Sequence, residues 1–231
     1  MSTVLLIGAS SDIGINLAIS FKKLNYHVVA CYCNNPIKIP KIETIKCDIT
    51  KKEEIEHAIE YTDKKYGKID ILINLAAIYM DQDFFSKTKE EIEHVLEVNL
   101  VGSFLCHQAY AKYNPQGLII HFSSTDGIDT YNKYNIDYAI SKAGLISMCK
   151  IMHNLFSNRV ICLCPNWINS SSTKTMDKDY LQQELTRIGQ SRLIEIPELI
   201  TAIHEIINNQ DTKTVIYRID IKENKLWIEK Y

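Results

Sequence analysis

Val4-Leu5-Leu6-Ile7-Gly8-Ala9-Ser10-Ser11-Asp12-Ile13-Gly14 reads as a strand, a tight turn and the opening of a helix. The first four residues are apolar without alternation, the pattern of a strand buried on both faces. From Asp12 onward Ile13, Leu17, Phe21 and Leu24 recur at helical steps, which places one apolar stripe on a helix over 12–25. A turn of small residues feeding a helix N-terminus offers unpaired backbone N–H groups and the positive end of the helix dipole, a setting that suits a phosphate. A Walker phosphate loop is excluded, because no Gly-Lys-Ser/Thr follows.

The same alternation continues along the chain. Apolar, β-rich runs fall at 4–7, 27–33, 43–49, 69–76, 118–123, 159–164 and 214–221, and helical periodicity at 12–25, 51–66, 89–113, 136–156, 178–187 and 197–208. Strand and helix in strict alternation imply right-handed crossovers into a parallel sheet covered on both faces. The predicted fold is α/β, a doubly wound single domain over 1–231 with about seven parallel strands flanked by helices. The Ser/Thr-rich stretch within 166–190 reads as a mobile surface loop beside the substrate.

Composition narrows the function. With 231 residues, 46% hydrophobic and 23% charged, the chain has the make-up of a folded domain. Its 26 Lys and Arg against 28 Asp and Glu give a net charge of -2, and no basic run is present to follow a row of phosphates, so nucleic acid is not an expected partner. The longest apolar runs fall far short of the ~20 residues a membrane span needs. The N-terminus has no signal-peptide pattern, and the expected location is cytoplasmic. Cys31/Cys33 and Cys162/Cys164, at i, i+2 on strands, read as buried reduced thiols, and without HExxH or CxxC no metal is expected.

Two features point to chemistry. Tyr138 and Lys142 are four apart in a helical segment and so share a face. An ammonium ~5 Å from a phenol contributes about 3 kcal/mol at an effective dielectric of ~20, which would draw the phenol down by some two pK units from its reference near 10. Asn99 lies among Val95, Leu96, Val98, Leu100, Val101, Phe104 and Leu105, where a buried amide must find partners. Ser171-Ser172-Thr173-Lys174 satisfies SxxK, but no Lys-Thr-Gly or Ser-Asp-Asn accompanies it, so it reads as chance.

A set of motifs in order resembles the short-chain dehydrogenase/reductase family, including its 3-oxoacyl reductase-like members, over nearly the whole chain. Gly8 to Gly14 resembles the TGxxxGxG turn, Cys47-Asp48-Ile49 the D-V segment and Asn74-Leu75-Ala76-Ala77 the NNAG segment. Asn99 resembles the helix asparagine, Phe122-Ser123-Ser124 the serine strand, and Tyr138-Ala139-Ile140-Ser141-Lys142 is YxxxK intact. Pro165-Asn166-Trp167-Ile168-Asn169-Ser170 resembles PGxIxT, and Arg192 with Pro197-Glu198 resembles the R-x-x-x-PEE segment. Asp12, Leu75, Ala77 and Asn166 depart from the family pattern. A carboxylate at Asp12 would repel a pyrophosphate unless it pairs or turns to solvent.

The resemblance implies an NAD(P)(H)-dependent oxidoreductase that interconverts a ketone and a secondary alcohol by hydride transfer, with a Rossmann fold. Tyr138 is then the acid/base, Lys142 binds the ribose and assists Tyr138, Ser124 bonds the substrate oxygen, and Asn99 steadies a relay water. The cofactor would fall to Gly8, Ser10, Ser11, Asp12, Ile13 and Gly14 at the turn, Tyr32, Asp48 and Ile49, Asn74 and Ala76, Tyr138 and Lys142, and Pro165, Ile168 and Ser170. Tyr32 stands where an NAD-specific member carries an acidic residue, so NADP is the preferred cofactor and NAD the alternative. A homodimer or homotetramer is implied. The polar segment 126–135 points to a small hydroxylated or anionic carbonyl substrate; a 3-oxoacyl thioester and a nucleotide-sensing role are the alternatives.

Overall fold

All five residues of β1 (Thr3–Ile7) are buried, as an unbroken apolar run requires. The structure, a computed structural model, describes residues 1–209, 213 and 215–231. α1 (Asp12–Lys23) follows β1, and Ser11 caps it by accepting from Gly14 N at 3.1 Å. The chain continues through β2 (His27–Tyr32), β3 (Glu43–Lys46), α2 (Lys52–Tyr66), β4 (Ile69–Asn74), α3 (Lys89–Leu96) and α4 (Ser103–Tyr113). Then come β5 (Leu118–Phe122), α5 (Ile136–Leu155), β6 (Arg159–Pro165), α6 (Ser171–Lys174), α7 (Lys178–Arg187), α8 (Ile196–Asn208), β7 (Ile216–Lys222) and β8 (Lys225–Lys230).

The strands form one sheet in the order β3-β2-β1-β4-β5-β6-β7-β8. Every pairing is parallel except β7 with β8. Strand order reverses at β1, flanked by β2 and β4, and such a switch point opens a crevice beyond the C-terminal ends of the strands. Ile55, Ala58, Cys106, Tyr110, Leu145 and Met148 from α2, α4 and α5 pack on one face. Leu17, Phe21, Leu199, Ile203 and Ile206 from α1 and α8 pack on the other.

Three elements differ from expectation. β8 is an eighth strand, antiparallel to β7, reached through Glu223 and Asn224 at φ 50° and 60°. Two central residues with positive φ make the tight hairpin turn that a right-handed sheet twist favours, so the expected seven parallel strands gain an antiparallel border. The helix expected over 89–113 is interrupted by a π-helical stretch, Glu97–Gly102, between α3 and α4. There Gly102 passes so close to Ile49 that a Cβ would lie 2.9 Å from Ile49 Cγ2. The stretch expected to be loop within 166–190 contains the short α6, begun by Ser170, while α7, capped by Asp177, takes the place of the helix expected over 178–187. Thr214, at the start of the strand expected over 214–221, lies outside the described residues.

Candidate active site

A cavity of about 510 Å³ opens at the crevice. Ser10, Ser11, Asp12 and Ile13 from the β1–α1 turn form one wall, and Ser124, Tyr138 and Lys142 another. Pro165, Ile168 and Ser170 also line it, so ten of the residues singled out in the sequence meet in one space.

The turn has the shape a close-approaching ligand needs. Gly8 sits at φ 75°, and a Cβ there would be 2.6 Å from the Ala76 backbone. Gly14 fits under Ala9 with the same clearance, so α1 starts tight against β1. Backbone and helix N-terminus together fit a diphosphate-bearing cofactor. Asp12 turns away from repulsion: its Oδ2 accepts from Ser171 N at 2.6 Å, and that bond, with Lys174 nearby, holds the carboxyl below its usual range.

Around Tyr138 the electrostatics run opposite to expectation. Lys142 Nζ lies 5.3 Å from the Tyr138 ring centroid, close to the separation anticipated. The phenol is nevertheless raised, first by burial and then by the charge of Asp126, with a hydrogen bond from Ser124 acting the other way. Burial also lowers Lys142, to about 8. Lys142 Nζ donates to the Phe122 carbonyl at 2.7 Å. Burial is the largest influence on both groups, opposing the charged form of each.

Residues after β5 divide their tasks. Ser124 Oγ faces the cavity and accepts from Asp126 N at 3.1 Å. Ser123 Oγ donates to the Lys142 carbonyl at 2.9 Å and so ties β5 to α5. Thr125 is buried and its hydroxyl donates to that of Thr130 at 2.8 Å, leaving the Thr130 proton for Asp126.

Asn99 lies behind the cavity wall, fully buried. Its Oδ1 accepts from Ile78 N and its Nδ2 donates to Ile78 O, each at 2.8 Å, with Ser141 Oγ at 3.0 Å as a third partner. The side chain therefore clamps the segment after β4 to α5. Asn74 is similarly internal, donating to Ser103 Oγ at 2.9 Å. Gly8, Gly14, Ala76, Asp48, Ile49 and Tyr32 shape the turn and the strand ends without lining this cavity. Asp48 Oδ1 takes both the amide and the hydroxyl of Thr50, and burial with Gly102 fixes Ile49.

Sequence reasoning gives no sign of three contributors. Tyr79 packs edge-on against Tyr138 with centroids 6.4 Å apart. Lys87 reaches Asp137 and the Met80 carbonyl from a stretch that reads as polar loop. His107 and His121 stack at 5.5 Å behind Asn74, and burial lowers both, His107 to about 4, so they are neutral structural groups. None of these pairs is local in sequence.

Residues 2–181 match the family model described as short chain dehydrogenase. The chain is 27% identical over 221 residues to a 3-oxoacyl-(acyl-carrier-protein) reductase FabG of Staphylococcus epidermidis, covering 87% of this chain and 89% of the relative. It is 30% identical over 169 residues to the reductase of the same name from Thermotoga maritima, covering 71% and 68%. Among solved structures, the aldohexose dehydrogenase of Thermoplasma acidophilum in ligand-free form superposes with a TM-score of 0.82 at 21% identity, over 94% of this chain and 91% of that one. An actinorhodin polyketide ketoreductase with NADPH gives 0.80 at 20% identity, over 94% and 95%. These structural likenesses are of fold.

Proposed function

Because the chain belongs to the short-chain dehydrogenase family, we propose that it is an NAD(P)(H)-dependent oxidoreductase interconverting a small polar ketone and the corresponding secondary alcohol. The observation that carries this reading is the meeting of Ser124, Tyr138 and Lys142 in one cavity with the N-terminal turn of α1. Ser10 to Ile13 would hold the diphosphate, with Lys142, Pro165, Ile168 and Ser170 along the rest of the cofactor. The nicotinamide supplies the hydride.

This chain's own residues then handle the oxygen. Ser124 Oγ orients the carbonyl, and the Tyr138 hydroxyl delivers the proton to the developing alkoxide. A phenol raised by burial and by Asp126 holds its proton firmly, which suits the reducing direction. Asn99 acts as a positioning residue, fixing the segment that carries Tyr79 rather than holding a water with its amide. The absence of an acidic side chain at Tyr32 favours NADP over NAD. The staphylococcal reductases, similar over most of their length, support a second reading, reduction of a 3-oxoacyl thioester.

Seven free thiols, six of them buried, suit work in a reducing compartment such as the cytoplasm. Among the described residues no helix is long and apolar enough to cross a membrane. The exposed Val101, Phe104, Ile140, Ile151, Leu155 and Phe156 support a homodimer or homotetramer. The deciding experiment titrates NADPH and NADH by calorimetry, then follows nicotinamide absorbance against a panel of ketones and a 3-oxoacyl thioester. Turnover of a ketone with tighter NADPH binding is expected. Cofactor binding with no turnover of any carbonyl would instead mean a nucleotide sensor.

A further inference from the structure

The cavity wall beside Tyr138 presents a half-buried carboxylate. Asp126 lies in the 3-10 turn Thr125–Gly127 that follows Ser124, and it lines the cavity together with Ser124, Tyr138 and Asn135. Its Oδ1 takes the Thr130 hydroxyl at 2.8 Å, while among the described residues no hydrogen bond is made to its Oδ2. Asn135, just before α5, donates Nδ2 to Asp81 Oδ1 at 2.6 Å. A carboxylate can only accept, so the amide orientation is fixed, and Asn135 Oδ1 is left buried with no partner. Burial raises the Asp126 carboxyl against the Thr130 hydrogen bond and the charge of Arg187, itself paired with Glu184, and the Asp126 charge is felt by the Tyr138 phenol.

We propose that Asp126 is a specificity-determining residue that accepts a hydrogen bond from a substrate hydroxyl next to the reacting carbonyl and turns away anionic carbonyls. The inference rests on the oxidoreductase reading above and deepens it by selecting between the two polar substrate classes. A neutral hydroxyketone satisfies the free acceptor while its carbonyl faces Ser124 and Tyr138. An oxo acid would bring a second negative charge to a half-buried carboxylate, where charge repulsion is poorly screened. A plain ketone would leave the acceptor without a donor, which costs affinity.

Hydroxyacetone and butanone differ only by a hydroxyl in place of a methyl, and pyruvate carries a carboxylate in place of the hydroxymethyl group, so its intrinsic reactivity is cancelled by comparing each substrate between wild type and variant. With NADPH-loaded protein, kcat/KM for hydroxyacetone is expected to exceed that for butanone by about ten- to a hundredfold, the size of a hydrogen bond to a charged acceptor. Pyruvate is expected to be poorer still. In Asp126→Asn the disadvantage of pyruvate should shrink about tenfold or more, and Asp126→Ser, lacking any carboxylate, should show the same relaxation if Asn perturbs the turn. Ligand-induced Tm shifts of the loaded protein provide a second readout. If pyruvate matches hydroxyacetone in the wild type, or if both variants keep the wild-type order, the proposal is overturned. If the protein binds cofactor but turns over none of the three, the small-polar-ketone reading fails, and the Tm shifts still decide whether Asp126 prefers hydroxyl over carboxylate.

Discussion

Lys87 Nζ lies 2.8 Å from Asp137 Oδ2, and the two side chains are 5% and 1% exposed. Asp137 Oδ1 at the same time accepts from the backbone N of Tyr138 at 3.0 Å. A lysine from the segment after β4 therefore reaches the residue next to the candidate acid. Removing one partner of a buried pair strands the other charge, typically at a cost of about 3–5 kcal/mol. Lys87→Met is expected to lower urea stability by about 3 kcal/mol, and a loss under about 1 kcal/mol would mean the pair is hydrated in solution.

Tyr138→Phe removes the hydroxyl assigned to give the proton at the Ser124 side of the cavity. kcat should fall at least ~100-fold, the usual scale of acid/base catalysis, with NADPH affinity retained. Steady-state kinetics beside calorimetry make the separation, and turnover equal to wild type would remove Tyr138 from the mechanism.

Burial lowers the Lys142 ammonium in the folded chain to about 8, from an ordinary value of 10.5. Between those values the unfolded chain holds a proton that the folded chain does not, so folding gains as pH rises through this window and carries the full burial cost below it. Lys142→Met lacks that slope. Comparing urea titrations at about pH 7.5 and about pH 9.5, wild-type stability should gain about 2 kcal/mol relative to the variant. Parallel stability curves would show that the ammonium is solvated.

Asp12 joins the first turn of α1 to the first turn of α6 across the cavity mouth. In Asp12→Gly the amide of Ser171 loses a charged acceptor, and hydrogen exchange in 170–176 should quicken about tenfold while β1 stays protected. Relief of repulsion at an unpaired carboxylate would tighten cofactor binding in this variant and make it less salt-sensitive. With the carboxylate already paired, cofactor affinity is expected to change little, and a strong tightening would show that Asp12 faces the diphosphate.

Self-association through α4, α5 and the π-helical stretch predicts a species of at least twice the 26.6 kDa chain mass in sedimentation. Phe104→Glu, on that face at 42% exposure, should shift the population toward monomer. A concentration-independent monomer in the wild type would refute the assembly.

What could be read in advance was what is local. Strand and helix phasing, the small-residue turn and the four-residue step from Tyr138 to Lys142 depend on periodicity within one element, and the sheet placed them as expected. The helix expected over 89–113 holds a π-helical stretch that ends where Gly102 meets Ile49, a residue on another segment. Tyr138 moved opposite to the pairwise estimate because that estimate held Lys142 and no desolvation, and Asp126 joins the site only through the 3-10 turn. β8 was legible in hindsight from Asn224 ahead of Leu226-Trp227-Ile228, a hairpin signal in a short tail.

The reversal of β8 against β7 also governs how the sheet ends. One border, β3, has only four residues, and the other carries Lys225 and Lys230 at its two ends with Glu229 beside the latter. Short strands and edge lysines make poor templates for an incoming strand. The long-range parallel pairings in the middle form slowly, because distant segments must meet before any of them is rewarded. Such borders guard the finished sheet against fibre-like growth, and they leave helices, rather than backbone edges, as the surfaces through which copies of this chain can associate.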